Sequence, residues 1–282
     1  MPPTDEGADR HAPPVRGRRA RLDHVLDLII EEGHLGVDDL IERLGISPAT
    51  ARRDLDTLAE QQLVIRTHGG ASAHPDASAL PMRYRAARNA GAKEAIARCA
   101  VELAEPGSVL GLNGGTTTTA LAQELAAHPA FREAPRQTVL VTNAINIAQE
   151  LAVRRHLQLV VTGGVVKEAS FELVGSWAEQ LLAQIRIDTL FLGVDGLTAV
   201  DGARTHDEAE ASISARLIER STRVVVLADA EKIGTGAFAR IVPTTGIHDL
   251  VTEESSDPEV LAALREAGVR VHLAPAEHGR AG

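Results

Sequence analysis

The sequence predicts an α/β chain in two parts: an N-terminal winged helix-turn-helix, then a larger domain built on a mostly parallel open sheet. Three observations carry that expectation. From Leu22 to Leu58 apolar residues recur at helical spacing, interrupted by Gly33, Gly45 and a Ser47-Pro48 pair. The apolar run at Leu63–Ile65 is followed by Arg66-Thr67-His68-Gly69-Gly70, a strand and a glycine turn. From about Ala90 to Leu273 short apolar runs alternate with helical stretches, the pattern of βαβ units.

The chain begins with a polar, proline-containing stretch (1–17), expected to be a disordered tail. Arg16, Arg18, Arg19 and Arg21 make a local basic run in a chain whose formal charge is −10. Phosphates respond to fields over about 10 Å at moderate salt, so the overall acidity does not exclude a nucleic-acid partner. No apolar run approaches the roughly 18 residues of a membrane span, and no secretory h-region is seen. A cytoplasmic location and no membrane partner are expected. The single cysteine, Cys99, excludes an intramolecular disulfide and a Cys-based zinc ribbon, and is expected to be a small buried hydrophobe. Aromatics are only 2% of the chain, so Leu, Val, Ile and Ala must fill the cores.

Residues 18–71 are expected to form the helical unit. Leu22, Val25, Leu26, Ile29 and Ile30 line one face of a first helix. Val37, Leu40, Ile41 and Leu44 line a second. Ser47 supplies an N-cap and Pro48 a first-turn proline for a third. At 100° per residue, Ala51, Leu55 and Leu58 share the inner side of that helix. Ala49, Thr50, Arg53, Asp56 and Thr57 lie outside, with Arg52 on a flank. Arg53 is the candidate for a guanine edge in a major groove; Arg52 and Thr50 suit phosphates or neighbouring bases. Ser47, Ala49 and Thr57 complete the candidate surface on the helix, and Arg66 and His68 extend it along the wing. The alternatives are solvated arginines paired with Asp56 or Glu60, and a structural turn role for His68.

Ser72–Pro81 is rich in Ala, Ser and Pro, and the expected linker spans 72–89. In the second domain (90–273, with a tail at 274–282), the apolar runs Val109–Leu112, Val139–Val141, Leu159–Val161, Phe191–Val194 and Val224–Ala228 each lead into a polar loop. Ligands of open parallel sheets bind beyond the carboxyl ends of strands, so these loops are expected to rim one pocket. The loop Asn113-Gly114-Gly115-Thr116-Thr117 is the most informative. Its glycines allow close backbone approach, and a helix N-terminus there favours an anion. It is neither a Walker A loop nor a GxGxxG fingerprint.

The segment SPATARRDLDTLAEQQLVIRTHGGA closely resembles the helix-turn-helix and wing signature of the DeoR family of bacterial regulators, and the likeness extends to about Leu273. The resemblance implies a C-terminal sensor domain similar in fold to ribose-5-phosphate isomerase and CoA transferases. It implies a sugar or sugar-phosphate effector, with Gly114, Gly115, Thr116 and Thr117 cradling a phosphate and Lys232 adding positive charge. Asn143, Asp195, Glu210 and Asp229 would orient ligand hydroxyls, with Asn113, Gly163 and Gly164 completing the effector set. Three positions depart from the family pattern: Asn113 for an aspartate, Ser214 for a lysine after Glu210-Ala211, and Glu231 for a serine. The expected function is a sequence-specific DNA-binding regulator, a repressor of carbohydrate-metabolism genes, acting as a homo-oligomer (dimer or tetramer) on double-stranded operator DNA. No catalytic residue, metal or cofactor is expected. The alternatives are an isomerase-like enzyme, with Asp195, Glu210 or Asp229 as base, and a protein–protein adaptor.

Overall fold

The computed structural model describes residues 17–61, 63–73 and 82–275. Most of both expected tails, and residues 74–81 of the expected linker, lie outside the described residues. The chain divides into two compact units, Met1–Leu80 and Pro81–Gly282.

In the first unit, α1 (Arg18–Glu32), α2 (Val37–Leu44) and α3 (Pro48–Glu60) pack with three short strands, β1 (His34–Gly36), β2 (Val64–Thr67) and β3 (Gly70–Ala73). The strands form an antiparallel sheet in the order β1-β3-β2. Val25, Leu26, Ile29, Leu35, Leu40, Ala51, Leu55 and Leu58 make the core, as the helical periodicity requires. Gly45 ends α2 in the left-handed conformation, φ 62°, and its N–H bonds the Ile41 carbonyl at 3.0 Å. Ser47 caps α3, its hydroxyl accepting from the Thr50 N–H at 3.2 Å. Strand β1, which the sequence did not signal, joins the wing because Gly70 lets two backbones meet. A Cβ at Gly70 would stand 2.3 Å from the Leu35 carbonyl oxygen.

The second unit opens with α4 (Met82–Ala87) and α5 (Ala90–Val101), so part of the stretch expected as linker is helical and belongs to this unit. There follow β4 (Val109–Leu112), α6 (Thr116–Ala127), α7 (Pro129–Arg132), β5 (Thr138–Thr142), α8 (Ile145–Leu151) and β6 (Leu157–Val161). A short antiparallel hairpin, β7 (Val165–Val166) and β8 (Leu173–Val174), leads to α9 (Ser176–Leu182) and β9 (Ile187–Gly193). Next come β10 (Gly196–Thr198), β11 (Gly202–Thr205), α10 (Glu208–Glu219), β12 (Ser221–Leu227) and β13 (Ala239–Val242). The unit closes with β14 (Asp249–Glu253), α11 (Pro258–Glu266) and β15 (Arg270–Ala274).

Seven strands form the main sheet in the order β15-β14-β12-β9-β4-β5-β6, every neighbouring pair parallel. Strand residues alternate between two cores. Leu190, Leu192, Val224 and Val226 face a layer that includes Leu182, Leu217 and Leu264; Phe191, Val225 and Leu227 face Ile96, Leu121 and Leu125. From β4 the chain winds outward to β5 and β6, then crosses to β9 and winds the other way. The carboxyl ends of β4 and β9 are therefore a topological switch point, where open sheets bind ligands. At the opposite end of the sheet, buried Asp249 accepts from Arg223 (2.7 Å), Arg270 (2.9 and 3.0 Å) and His272 (2.8 Å). Cys99 is half-buried against the α5–α6 core, and burial pushes its thiol pKa up.

Candidate functional site

Two surfaces hold the candidate residues. On α3 the inner face consists of Ala51, Asp54, Leu55 and Leu58, all buried. Asp54 fastens this face to α1 by accepting from Arg21 Nε at 2.6 Å and Nη2 at 3.2 Å. With that face fixed, Arg52 and Arg53 are exposed and, among the described residues, join no ion pair. Asp56 instead pairs with Arg66 at 2.9 Å, and Arg66 also donates to the Gly70 carbonyl. The alternative of Asp56 neutralising the helix arginines is thus not what the fold does. Arg66 is held to α3 through Asp56 and to the wing through Gly70, which leaves it less free for a phosphate than a solvated arginine. Thr57 donates to the Arg53 carbonyl at 2.8 Å and accepts from Arg18 at 3.2 Å. Ser47 and Thr50 bond each other through their hydroxyls at 2.8 Å, so Ser47 serves the cap. Ala49 and His68 are exposed, the latter in the wing turn.

The second surface lies at the switch point. Asn113, buried beyond the end of β4, spans to β9: its Oδ1 accepts from the Gly193 N–H at 2.7 Å and its Nδ2 donates to the Gly193 carbonyl at 3.0 Å. Nδ2 also reaches the Ser214 hydroxyl at 3.4 Å. Two of the positions singled out in the sequence thus touch each other as a neutral pair. Gly115 caps α6 with φ 139°, and its carbonyl accepts from the hydroxyls of Thr118 (3.1 Å) and Thr119 (2.6 Å). Thr116 opens the helix half-buried. Thr117 is buried, with a hydroxyl that finds no partner among the described residues.

Glu172 packs on this loop, with Glu210 and Asp195 facing it, and a fourth carboxylate, Asp229, follows β12. Asn143, past β5, donates to Glu172 Oε2 at 2.9 Å and to the Leu173 carbonyl at 3.3 Å, leaving its own Oδ1 buried without a partner among the described residues. Asp195, past β9, accepts from the Thr205 hydroxyl (2.8 Å) and the His206 N–H (3.1 Å); Thr205 also bonds Glu210 at 3.3 Å. Glu172 lies against Gly114, where a Cβ would meet its Oε1 at 2.3 Å. Burial first, then the nearby charges of Glu210 and Asp195, push its carboxyl up to about 8. Asp229, past β12, is buried, with one oxygen unpartnered among the described residues. Buried Lys93 of α5 faces the charges of Asp229 and Lys232; burial pulls its ammonium down to about 8 despite Asp229. Lys93 donates to the Arg85 and Arg88 carbonyls, and Arg88 pairs with Glu231 at 2.8 Å.

Contacts and short-range charge interactions thus link Asn113, Gly114, Asn143, Asp195 and Glu210 in one cluster, and Asp229 and Lys232 through Lys93. Gly163 and Gly164 differ: they act through the backbone, with φ 69° and 124°, turning β6 into the hairpin. A Cβ on Gly164 would sit 2.7 Å from the Val174 carbonyl. Sequence reasoning missed Glu172, Lys93 and Arg85. Lys93 was legible, since it stands three, four and seven residues before Ile96, Ala97 and Ala100 on a buried stripe. Glu172 was a lone carboxylate between Phe171 and Leu173, and only the hairpin carries it inward.

Comparison with known proteins gives the lineage. The family described as the DeoR C terminal sensor domain matches residues 88–254, and the DeoR-like helix-turn-helix domain matches residues 21–75. The glycerol-3-phosphate regulon repressor of Escherichia coli (strain K12) is 28% identical, covering 90% of this chain and 98% of its own length. The HTH-type transcriptional regulator GlpR of Haloferax volcanii is 31% identical over 89% of this chain and 96% of its own. The HTH-type transcriptional regulator UlaR of Salmonella arizonae is 31% identical over 88% and 95%. Among solved structures, ribose 5-phosphate isomerase A of Methanocaldococcus jannaschii overlaps half of this chain and 52% of its own at 20% identity, with a TM-score of 0.37. With both family models matched and relatives aligned along nearly their whole length, the chain belongs to the DeoR family of helix-turn-helix transcriptional regulators.

Proposed function

We propose that this regulator is a repressor of carbohydrate-metabolism genes that leaves its operator when a sugar or phosphorylated metabolite occupies the strand-end cluster. The observation that carries the DNA half is the pair Arg52 and Arg53, exposed and in no ion pair among the described residues, on a helix whose opposite face is fixed by Asp54 and three apolar residues. In this reading Arg53 contacts base edges, while Arg52, Thr50, Ala49 and His68 meet phosphates or neighbouring bases; Thr57, Ser47 and Arg66 hold those groups in place. For the effector half, Gly114 to Thr117 supply backbone approach and an α6 N-terminus for an anion, with Lys232 adding charge. Asn143, Asp195, Glu210 and Asp229 supply acceptors for hydroxyls. Unpartnered oxygens on Thr117, Asn143 and Asp229 support a polar ligand, because buried polar atoms are rarely left unbonded. Gly163 and Gly164 contribute the turn that delivers the hairpin.

One short recognition helix gives limited specificity, so the active species is proposed to be a homo-oligomer, a dimer or tetramer, reading successive half-sites. Its place of action is then the cytoplasm; among the described residues no helix is long and apolar enough to cross a membrane. The test is fluorescence anisotropy with duplexes from upstream of its own and neighbouring genes. Binding that weakens with salt and on Arg53→Ala supports the proposal. No binding at low salt, with and without candidate sugars and their phosphates, overturns it.

A further inference from the structure

Glu172 closes the connecting loop of the β7–β8 hairpin, immediately before β8, and reaches the switch point from outside the sheet. It is 4% exposed. Its Oε2 accepts from Asn143 Nδ2, and the amide's orientation is fixed because the same Nδ2 also donates to the Leu173 carbonyl. A proton on this carboxyl therefore belongs on Oε1, the oxygen packed against Gly114 in the loop that opens α6. Among the described residues the hydrogen bond this carboxyl takes is the one to Oε2, and the Thr117 hydroxyl of the same loop and Asn143 Oδ1 are buried without a partner there. The charged groups facing Glu172 are Glu210 from α10, Asp195 from the turn after β9 and Arg85 from α4. The loop 113–117 and the end of β5 offer it only neutral side chains.

We propose that Glu172 is a specificity-determining contact of the effector site, presenting an un-ionised carboxyl as donor to the anionic end of the effector, so that anion uptake is linked to retention of one proton. The proposal rests on the Gly114–Thr117 loop being the anion site. Two carboxylates against one guanidinium make a second negative charge costly there, and an arriving anion raises that cost. An ionised Glu172 would repel the anion, whereas the acid form gives it a hydrogen bond. Free-protein titration near 8 then makes anion affinity fall as pH rises through that value. A cationic effector would show the opposite slope, because it would favour the ionised form.

Sulfate is the probe, since it keeps two charges across the neutral and mildly alkaline range. Isothermal titration of the full chain with sulfate is expected to show affinity falling roughly 5- to 10-fold between about pH 7 and about pH 9. Glu172→Gln should bind with a nearly flat profile, and Gly114→Ala should abolish binding, placing the sulfate in the loop. Equal slopes in wild type and Glu172→Gln, or affinity that rises with pH, overturn the role of Glu172 while leaving the anion site standing. Absence of sulfate binding in wild type at every pH overturns the anion site itself. If Glu172→Gln does not fold, Glu210→Gln removes the first facing carboxylate and must move the midpoint to lower pH; an unmoved midpoint also overturns the role.

Discussion

Removing Arg21 should loosen the DNA-binding unit more than neutralising its partner Asp54. Asp54 is 1% exposed on the inner face of α3 and takes two hydrogen bonds from one guanidinium. Arg21→Ala leaves a buried carboxylate unpaired, which costs roughly 3–5 kcal/mol when both partners are dry. Here Arg21 keeps 23% of its side chain exposed. Water can therefore follow its removal to Asp54, and the expected cost falls to about 2–3 kcal/mol. Asp54→Asn keeps the shape and an acceptor but loses the charge, at a cost of about 1–2 kcal/mol, because Arg21 can turn to solvent. The assay is amide hydrogen exchange by mass spectrometry on the full chain. Opening of α1 and α3 should speed by about 30- to 150-fold in Arg21→Ala and by less in Asp54→Asn. Trp177, the single tryptophan, belongs to the second unit, so its emission should not change. An Asp54→Asn penalty equal to or larger than that of Arg21→Ala, or unchanged exchange in α3, would refute the argument.

Three further outcomes are expected. Arg53→Ala should cost about 1–3 kcal/mol of operator affinity and relax preference at one base position, whereas Arg52→Ala should weaken all duplexes alike and flatten the salt dependence; competition binding against single-base variants separates the two. Gly70→Ala places a methyl 2.3 Å from the Leu35 oxygen and should detach β1 from the wing, seen as faster exchange at Leu35 and Ala71. Asp249 is held well below the usual carboxylate range by Arg223, Arg270 and His272, against the opposing effect of burial. A depressed folded value stabilises above the unfolded value near 3.9, and that contribution is lost as pH falls through the folded one. Melting temperature should therefore drop less steeply with acid in Asp249→Asn than in wild type between about pH 5 and about pH 3.

The neutral contact between Asn113 and Ser214 bears on what the sensor can hold. It lies at the junction of β4, β9 and α10 and adds no charge there. Among the described residues, the charges that act on Glu172 are those of Glu210, Asp195 and Arg85, and those that act on Lys93 are those of Asp229, Lys232, Arg88 and Glu231. Burial moves the titration of two of them, Glu172 upward and Lys93 downward.

The sequence by itself determined the two architectures and the axis of each helix face. Periodicity put Ala51, Leu55 and Leu58 inside and Arg52 and Arg53 outside, because a helix fixes side-chain direction at 100° per residue. Alternating apolar runs and polar loops located the strand ends, since backbone geometry sends every βα loop of a parallel sheet to one edge. Local rules of this kind need no knowledge of distant residues. What they could not supply was pairing across the chain. That Arg66 takes Asp56, that Asp54 belongs to Arg21 thirty-three residues away, and that Asn113 meets Ser214 all depend on how elements dock. Glu172 is the clearest case: its neighbours in sequence mark only a short strand, and the hairpin's return toward Asn143 and Gly114 makes it a buried acid. Electrostatic environment is a property of the assembled fold, because burial and facing charges come from segments that the sequence lists far apart.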